Sequence, residues 1–467
     1  MLAAGPAAVI RSPRTTTIPG DSIVPDPVAK IRAARTTTTG VVAACPASIT
    51  VSPAIVSRVF MALPIIRRMP IGTAVHERTF ALAESLNYRE WSGYYAVSSY
   101  EAHHEHEYNA IRNAAALIDI SPLYKYIVKG RDAVKLVDRV ITRNARTLAI
   151  GQVYYTPWCD DHGYVIDDGT VTRLDEQTFR WTAADPSLRW FTQNAVGLDV
   201  SIDDVSESVA ALALQGPTSG GLLHALADAD VRGLKYFRMT SGQIAGVPVD
   251  ISRTGYTGDL GYEIWMPWDR AVEVWDAVMQ HGRAFDVQAV GMLALDVARV
   301  EAGLLLIEVD FNSSKKALIE TQKYTPYEMG LGRLVQLDAG PFVGRKPLAA
   351  EHRRGSARQI VGLDISWPAI EALYEGIGMP PQVAATASRV PVPVYRNGRQ
   401  VGRATTTTWS PVLKKLIALA TLSAPHYAEG TTLEMEMTIE AVRHRVPATV
   451  VKTPFLNPPR KTQAIVV

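Results

Sequence analysis

The run Arg253-Thr254-Gly255-Tyr256-Thr257-Gly258-Asp259-Leu260-Gly261-Tyr262-Glu263-Ile264 confines the backbone more tightly than any other stretch of this chain. Glycine recurs at 255, 258 and 261, and only glycine enters positive φ without steric cost. Tyr262, Ile264 and Met266 then alternate through an apolar pattern of strand period. The segment predicts a tight turn feeding a strand, with the Glu263 carboxylate fixed at the strand's start. A fixed carboxylate beside exposed backbone suits a ligand with an amidine-like N–C–N edge, such as a pterin. A glycine-rich hairpin with a solvated glutamate is the plainer alternative, and spacing alone does not separate the two.

The rest of the chain limits what can surround such a turn. At 467 residues it should hold two or three domains and a large core. Apolar content of 47% and charged content of 20% fit a soluble globular protein. A net charge of +2 with no long basic run argues against nucleic acid as a partner. Cys45 and Cys159 are too few for a disulfide framework or a zinc site, so a reducing, cytoplasmic setting is expected. No apolar run reaches the roughly 18 residues of a membrane helix, so no membrane association is expected.

Residues 1–68 differ from the rest of the chain. They are rich in Thr, Ala, Pro, Val and Arg and carry only Asp21 and Asp26 as acids. A transit peptide, a disordered tail, or a non-native extension ahead of a start at Met69 all fit, and none belongs in the fold argument. From Met69 onward, helices are predicted over 74–90, 101–116, 133–140, 268–282 and 294–305, and another from Thr218 or Ser219. Asp132 is placed as the cap of the 133–140 helix. Strands are predicted over 117–121, 124–128, 153–156, 165–167, 171–174, 179–182 and 211–215, and from 359 onward over 360–365, 392–395, 417–421, 433–439 and 448–451. Short strands and helices without a βαβα rhythm argue for α+β. The strand-rich end, with a type I′ turn at Asn397-Gly398, reads as a small β barrel or sandwich.

Several landmarks share one order: Leu214-Gln215-Gly216-Pro217, the Gly255–Glu263 glycine motif, Arg299-x-Glu301-Ala302-Gly303, Val361-Gly362-Leu363, and Ser410-Pro411 ahead of Ile417-Ala418-Leu419-Ala420. Together, over residues 75 to 458, they resemble the T-protein of the glycine cleavage system, the folate-dependent aminomethyltransferase. The resemblance implies an α+β clover-leaf: two interleaved α+β folate-binding domains within 69–350 and a C-terminal β barrel within 351–467. It implies tetrahydrofolate in a central channel and transfer of a one-carbon unit between a small donor and the folate. Relatives of this kind include aminomethyltransferases served by a lipoyl carrier protein, demethylases of small methyl compounds, and folate domains of sarcosine and dimethylglycine oxidising enzymes.

The resemblance also implies roles. Asp168, in Asp167-Asp168-Gly169, matches the acid that lies against folate and the reacting carbon, where a carboxylate manages charge and the proton. Asp-Gly read alone is a hairpin turn. Glu263 matches the glutamate that pairs with the pterin. Tyr155 and Tyr256 are expected to wall the folate site, and Arg460 to meet the folate's glutamate tail. Tyr100 or His104 is placed near the donor. His103 and Glu107 would share a face of a helix, but the spacing matches no zinc motif and no metal is expected. Arg299 and Glu301, two apart on one helix, read as structural.

The chain departs from the T-protein pattern in places. Leu293 and Leu295 stand where a folate-contacting arginine is expected, so a carboxylate of tail or donor must find another cation. Pro122-Leu123-Tyr124 replaces a His-Met pair. These differences tilt the expectation from strict aminomethyl transfer toward a demethylase or an oxidase-associated subunit. A non-catalytic folate-binding protein is a further reading, weakened because the region 315–330 lacks the cysteine of such relatives' signature.

Overall fold

Two-residue turns set much of the strand pairing in the computed structural model, which describes residues 69–464. The expectations for residues 1–68 lie outside the described residues. Asn397 and Gly398 both have positive φ, and Arg396 pairs directly with Arg399 across them. Ser92 and Gly93 do the same between Trp91 and Tyr94. That second hairpin corrects the 74–90 expectation: the helix spans only His76–Leu82, and Asn87–Trp91 is a strand. A tight hairpin there outweighs the helical spacing of its side chains.

A seven-stranded sheet runs in the order Ala227–Asp228, Met239–Ile244, Val247–Ser252, Gly261–Pro267, Val209–Gln215, Ala115–Asp119 and Val287–Ala289, antiparallel except for its last pair. Alternation sends Tyr262, Ile264 and Met266 to one face, against helices Ser219–Leu226 and Ala271–Gly282. Ala213 and Trp265 point the other way, toward helices Glu105–Asn113 and Met292–Glu301. The predicted 101–116 helix therefore stops at Asn113, because residues 115–119 are claimed by the sheet, where Ala116 pairs with Gln215.

A five-stranded sheet follows the order Val153–Cys159, Val165–Arg173, Thr178–Ala183, Tyr124–Lys129, Ser201–Asp204. Its core is aromatic: Trp158, Trp181, Phe191 and Tyr126 pack under helices Ala133–Val140 and Leu188–Asn194. Asp132 does precede the first of these helices, but its carboxylate accepts from the Asp199 amide and pairs with Lys135 instead of capping. Six strands from Arg358 to Val451 close into a barrel, as expected. Within the barrel region two elements escaped the sequence reading. The polar, threonine-rich strand Arg399–Ser410 completes the barrel wall, and helix Trp367–Glu375 packs Ile370 and Tyr374 into the barrel core.

The pieces meet at buried charge. Arg112 donates to Glu301 Oε2 at 2.6 Å, to Asp259 Oδ2 at 3.3 Å and to the carbonyls of Thr257 and Ala298. Tyr108 and Ser410 donate to Glu301 Oε1, the first from the helix that carries Arg112 and the second from the barrel. Arg460 closes on Asp259 at 2.6 and 2.8 Å and reaches the Arg112 carbonyl. Gly258 has φ +73°, and a Cβ there would lie 2.3 Å from the Ala302 Cβ. The glycine motif and the Arg299–Gly303 motif are thus two sides of one contact.

Arg112→Met should cost about 3–5 kcal/mol, because it strands Glu301 with no cation at full burial. Thermal unfolding checks this, and a melting temperature unchanged within about one degree would show that the network carries no such weight.

Candidate functional site

Alternation along two strands aims carboxylates into one space. Glu263 lies on Gly261–Pro267, on the face opposite Tyr262 and Ile264, so it leaves the apolar core and enters a cavity of about 1450 Å³. Asp168 enters the same cavity from the other sheet. The Asp167-Asp168-Gly169 run is no turn: Val165–Arg173 is one continuous strand. Gly169 answers a different need. A Cβ there would sit 2.1 Å from the Thr182 carbonyl of the adjacent strand, so only glycine lets the strands close behind Asp168.

Asp168 Oδ2 accepts the Tyr155 hydroxyl at 2.5 Å across the Val153–Cys159 and Val165–Arg173 pair. Its neighbour Asp167 points the other way, fully buried, and accepts the backbone amides of Asp168, Ala184 and Asp185. Burial pushes the Asp168 carboxyl up to about 6, against the pull of the Tyr155 hydrogen bond. The Tyr155 hydroxyl is held well above its ordinary value by burial and by Asp168. The pair is a carboxylate poised to trade a proton near neutrality, with a tyrosine fixing which oxygen is free.

Glu263 Oε2 accepts the Thr254 hydroxyl at 2.6 Å. Burial raises its carboxyl, opposed by that bond and by the Arg180 charge. Arg180 itself is anchored by Asp250 at 2.7 Å and lies over the Trp265 ring. The Glu263 carboxylate lines the cavity, where it can accept from a ligand's N–H donors. Tyr256 also lines the cavity, but its hydroxyl donates to the Leu305 carbonyl, so it offers a ring as wall and no acid.

Three other expected site residues lie elsewhere. Arg460 is spent on Asp259 and does not line the cavity; Lys461, next in the chain, does. The two share a 3-10 turn, where successive side chains diverge by about a third of a turn, so only one can face inward. Tyr100 is buried beside Asp119 and Met292, outside the main cavity. His104 is buried at the start of helix Glu105–Asn113, with the Ala385 backbone as its neighbour, and also lies off the cavity. His103 precedes that helix while Glu107 turns inward to the amides of Tyr100 and Gly291, so the two form no common face.

The cavity adds residues that no local pattern announces. Arg143, Arg333 and Lys461 line it, Arg143 over the Tyr154 ring and Lys461 over the Tyr236 ring, and none of the three is paired with a carboxylate among the described residues. Burial lowers Arg143 and Lys461, and the charge of Arg333 lowers both further. Arg89, Asp296 and Arg389 form a second charged group on the wall.

The GCVT N-terminal domain description matches residues 73–339, and the glycine cleavage T-protein C-terminal barrel domain matches residues 379–457. The aminomethyltransferase of Caldanaerobacter subterraneus is 33% identical over 70% of this chain and 82% of its own length. The chain belongs to the glycine cleavage T-protein, or aminomethyltransferase, family. The family's Bacillus subtilis aminomethyltransferase is 33% identical over 75% of this chain and 90% of its own. A trimethylamine-oxide aldolase of Ruegeria pomeroyi is 34% identical over 85% of this chain, which spans only 48% of that longer protein. The crystal structure of aminomethyltransferase T from Bartonella henselae superposes with a TM-score of 0.69 at 22% identity, covering 83% of this chain and 98% of that one; this likeness supports the fold. Among the described residues, no helix is long and apolar enough to cross a membrane.

Asp168→Asn should stabilise the fold. Between the unfolded value near ~4 and the folded value of about 6, the native state binds more protons, so the cost of charging Asp168 grows as pH rises through that window. Above it the full cost applies, up to about 3 kcal/mol. The variant's melting temperature should exceed the parent's at pH 7.5 and converge with it near pH 4; equal values at both would show that Asp168 is not strained by burial.

Proposed function

We propose that this chain is a tetrahydrofolate-dependent one-carbon transferase that takes a methylene or methyl group from a small methylated or aminomethylated donor. The observation that carries the reading is the convergence of Glu263 and the Tyr155–Asp168 pair, from two different sheets, on one cavity. At about 1450 Å³ the cavity exceeds the ~300–1,000 Å³ of ordinary small-molecule sites, which leaves room for cofactor and donor together. In this reading the two sheets and the barrel are the leaves of a clover around that space.

The residues fit the cofactor. Glu263 supplies an acceptor for the pterin's N–C–N edge, a charge-assisted pair worth roughly 1.5–3 kcal/mol per bond. Tyr155, Tyr256 and Trp265 supply flat walls. Lys461 and Arg333 take the role expected of Arg460, facing the anionic tail. When bound, tetrahydrofolate supplies the nitrogens that accept the one-carbon unit. Asp168 then stabilises positive charge developing at the transferring nitrogen and accepts its proton, while Tyr155 holds the carboxylate in place. Activity should therefore fall as pH drops through about 6, when Asp168 is neutralised. The named relatives act as aminomethyltransferases or, in the longer protein, as a trimethylamine-oxide aldolase, so similarity alone leaves the donor open.

Calorimetric titration with tetrahydrofolate tests the assignment. Glu263→Ala should weaken binding at least about tenfold. Lys461→Ala should weaken it too, with the melting temperature kept, whereas Arg460→Ala should lower the melting temperature and spare affinity. Asp168→Asn should bind folate but lose transfer. No binding at millimolar folate would overturn the reading.

A further inference from the structure

Three guanidinium groups surround Asp296. Arg389 donates to its Oδ2 at 2.5 Å, Arg89 reaches the same oxygen at 3.4 Å, and Arg299 Nε stands 3.6 Å from Oδ1. Arg299 is already neutralised: Asp310 takes its Nη1, and Thr405 and Thr406 both donate to Asp310's other oxygen at 2.7 Å. Arg89 and Arg389 are left sharing one carboxylate, an excess of one positive charge on the cavity wall. Both side chains are partly accessible, 24% and 37%, while Asp296 is nearly closed at 7%. Burial, and then the charge of Arg389, make the charged form of Arg89 less favourable than it is in water. A second anion would relieve that repulsion.

The position matters as much as the charge. Arg89, Arg389 and Asp296 line the same cavity as Asp168 and Tyr256. The excess cation therefore faces the cavity that holds the proposed transfer centre, as a group separate from the Arg143–Arg333–Lys461 group assigned to the cofactor's tail. Leu293 and Leu295 offer no charge from the neighbouring helix turns. Arg89 comes from the Asn87–Trp91 hairpin strand and Arg389 from the irregular run 376–391, so the two forks approach from separate segments.

Resting on the transferase reading, we infer that the one-carbon donor carries a carboxylate, bound between Arg89 and Arg389 while Asp296 holds the two forks in place. A planar carboxylate matches guanidinium geometry bidentately, which an ammonium cannot reproduce. A donor with no anionic group, such as an amine or an aldehyde, makes no use of this pair.

The test uses the whole chain saturated with tetrahydrofolate and a panel of N-methyl and S-methyl amino or thioether acids, each beside its primary amide. Wild type should bind at least one acid saturably, with its amide at least about tenfold weaker. Arg389→Gln should abolish the difference between acid and amide, and Arg389→Lys should restore only part of it. Asp296 keeps Arg89 and Arg299 in the Arg389 variants, so unchanged folate affinity and melting temperature confirm that they fold. Equal binding of acid and amide, absence of acid binding up to about 50 mM, or an Arg389→Gln variant that still discriminates would overturn the inference. Loss of folate binding in wild type would instead overturn the transferase reading.

Discussion

The buried Arg112 guanidinium, with Glu301 and Asp259 closed around it, is the interaction on which the rest of this molecule depends. Its partners come from the glycine motif, from helix Met292–Glu301 and, through Ser410 and Arg460, from the barrel and the C-terminal segment. Desolvating so much charge costs free energy that apolar residues of similar volume would not. What it secures is geometry, since each carboxylate oxygen and each guanidinium nitrogen has one arrangement in which all bonds are made. The cavity lies between the elements so fixed.

Around that frame, charge is handled in two ways. Glu301, Asp259 and Asp310 are saturated with donors and closed to solvent, and their role is cohesion. Asp168 and Glu263 each accept a neighbouring hydroxyl and line the cavity. Both are raised by burial, so the fold holds them in a state they would leave if they could. That contrast, more than residue type, separates the supporting acids from the two we assign to the chemistry and the cofactor.

Much of this could be read along the chain. The glycine motif announced its strand and the orientation of Glu263, because period-two alternation is local. The barrel was visible through Asn397-Gly398 and its regular strands. Family motifs located Asp168 even though Asp-Gly looked like a turn; the strand passing Gly169 is a tertiary fact that no dipeptide reports. Arg460 and Lys461 were confused for the same kind of reason, since adjacent residues in a 3-10 turn face different ways. Arg89 and Asp296, 207 positions apart, and Asp296 and Arg389, 93 apart, are joined only by folding. Tyr100 and His104 were placed by neighbourhood, and the inward turn of Glu107 carried their segment off the cavity.

Gly169 has a wider consequence. Because the Thr182 carbonyl fills the space where a side chain would start, the strand bearing Asp168 is clamped on both sides and cannot drift. Arg389 stands in the largely irregular run 376–391, beside the single bridge that joins Ser388 to Thr407 of the barrel. The acid we assign to the chemistry is set within a sheet, and the residue we assign to choosing the substrate stands in a connecting run. Descendants of such a chain can exchange one donor for another by editing that run, with the transfer centre left as it was inherited.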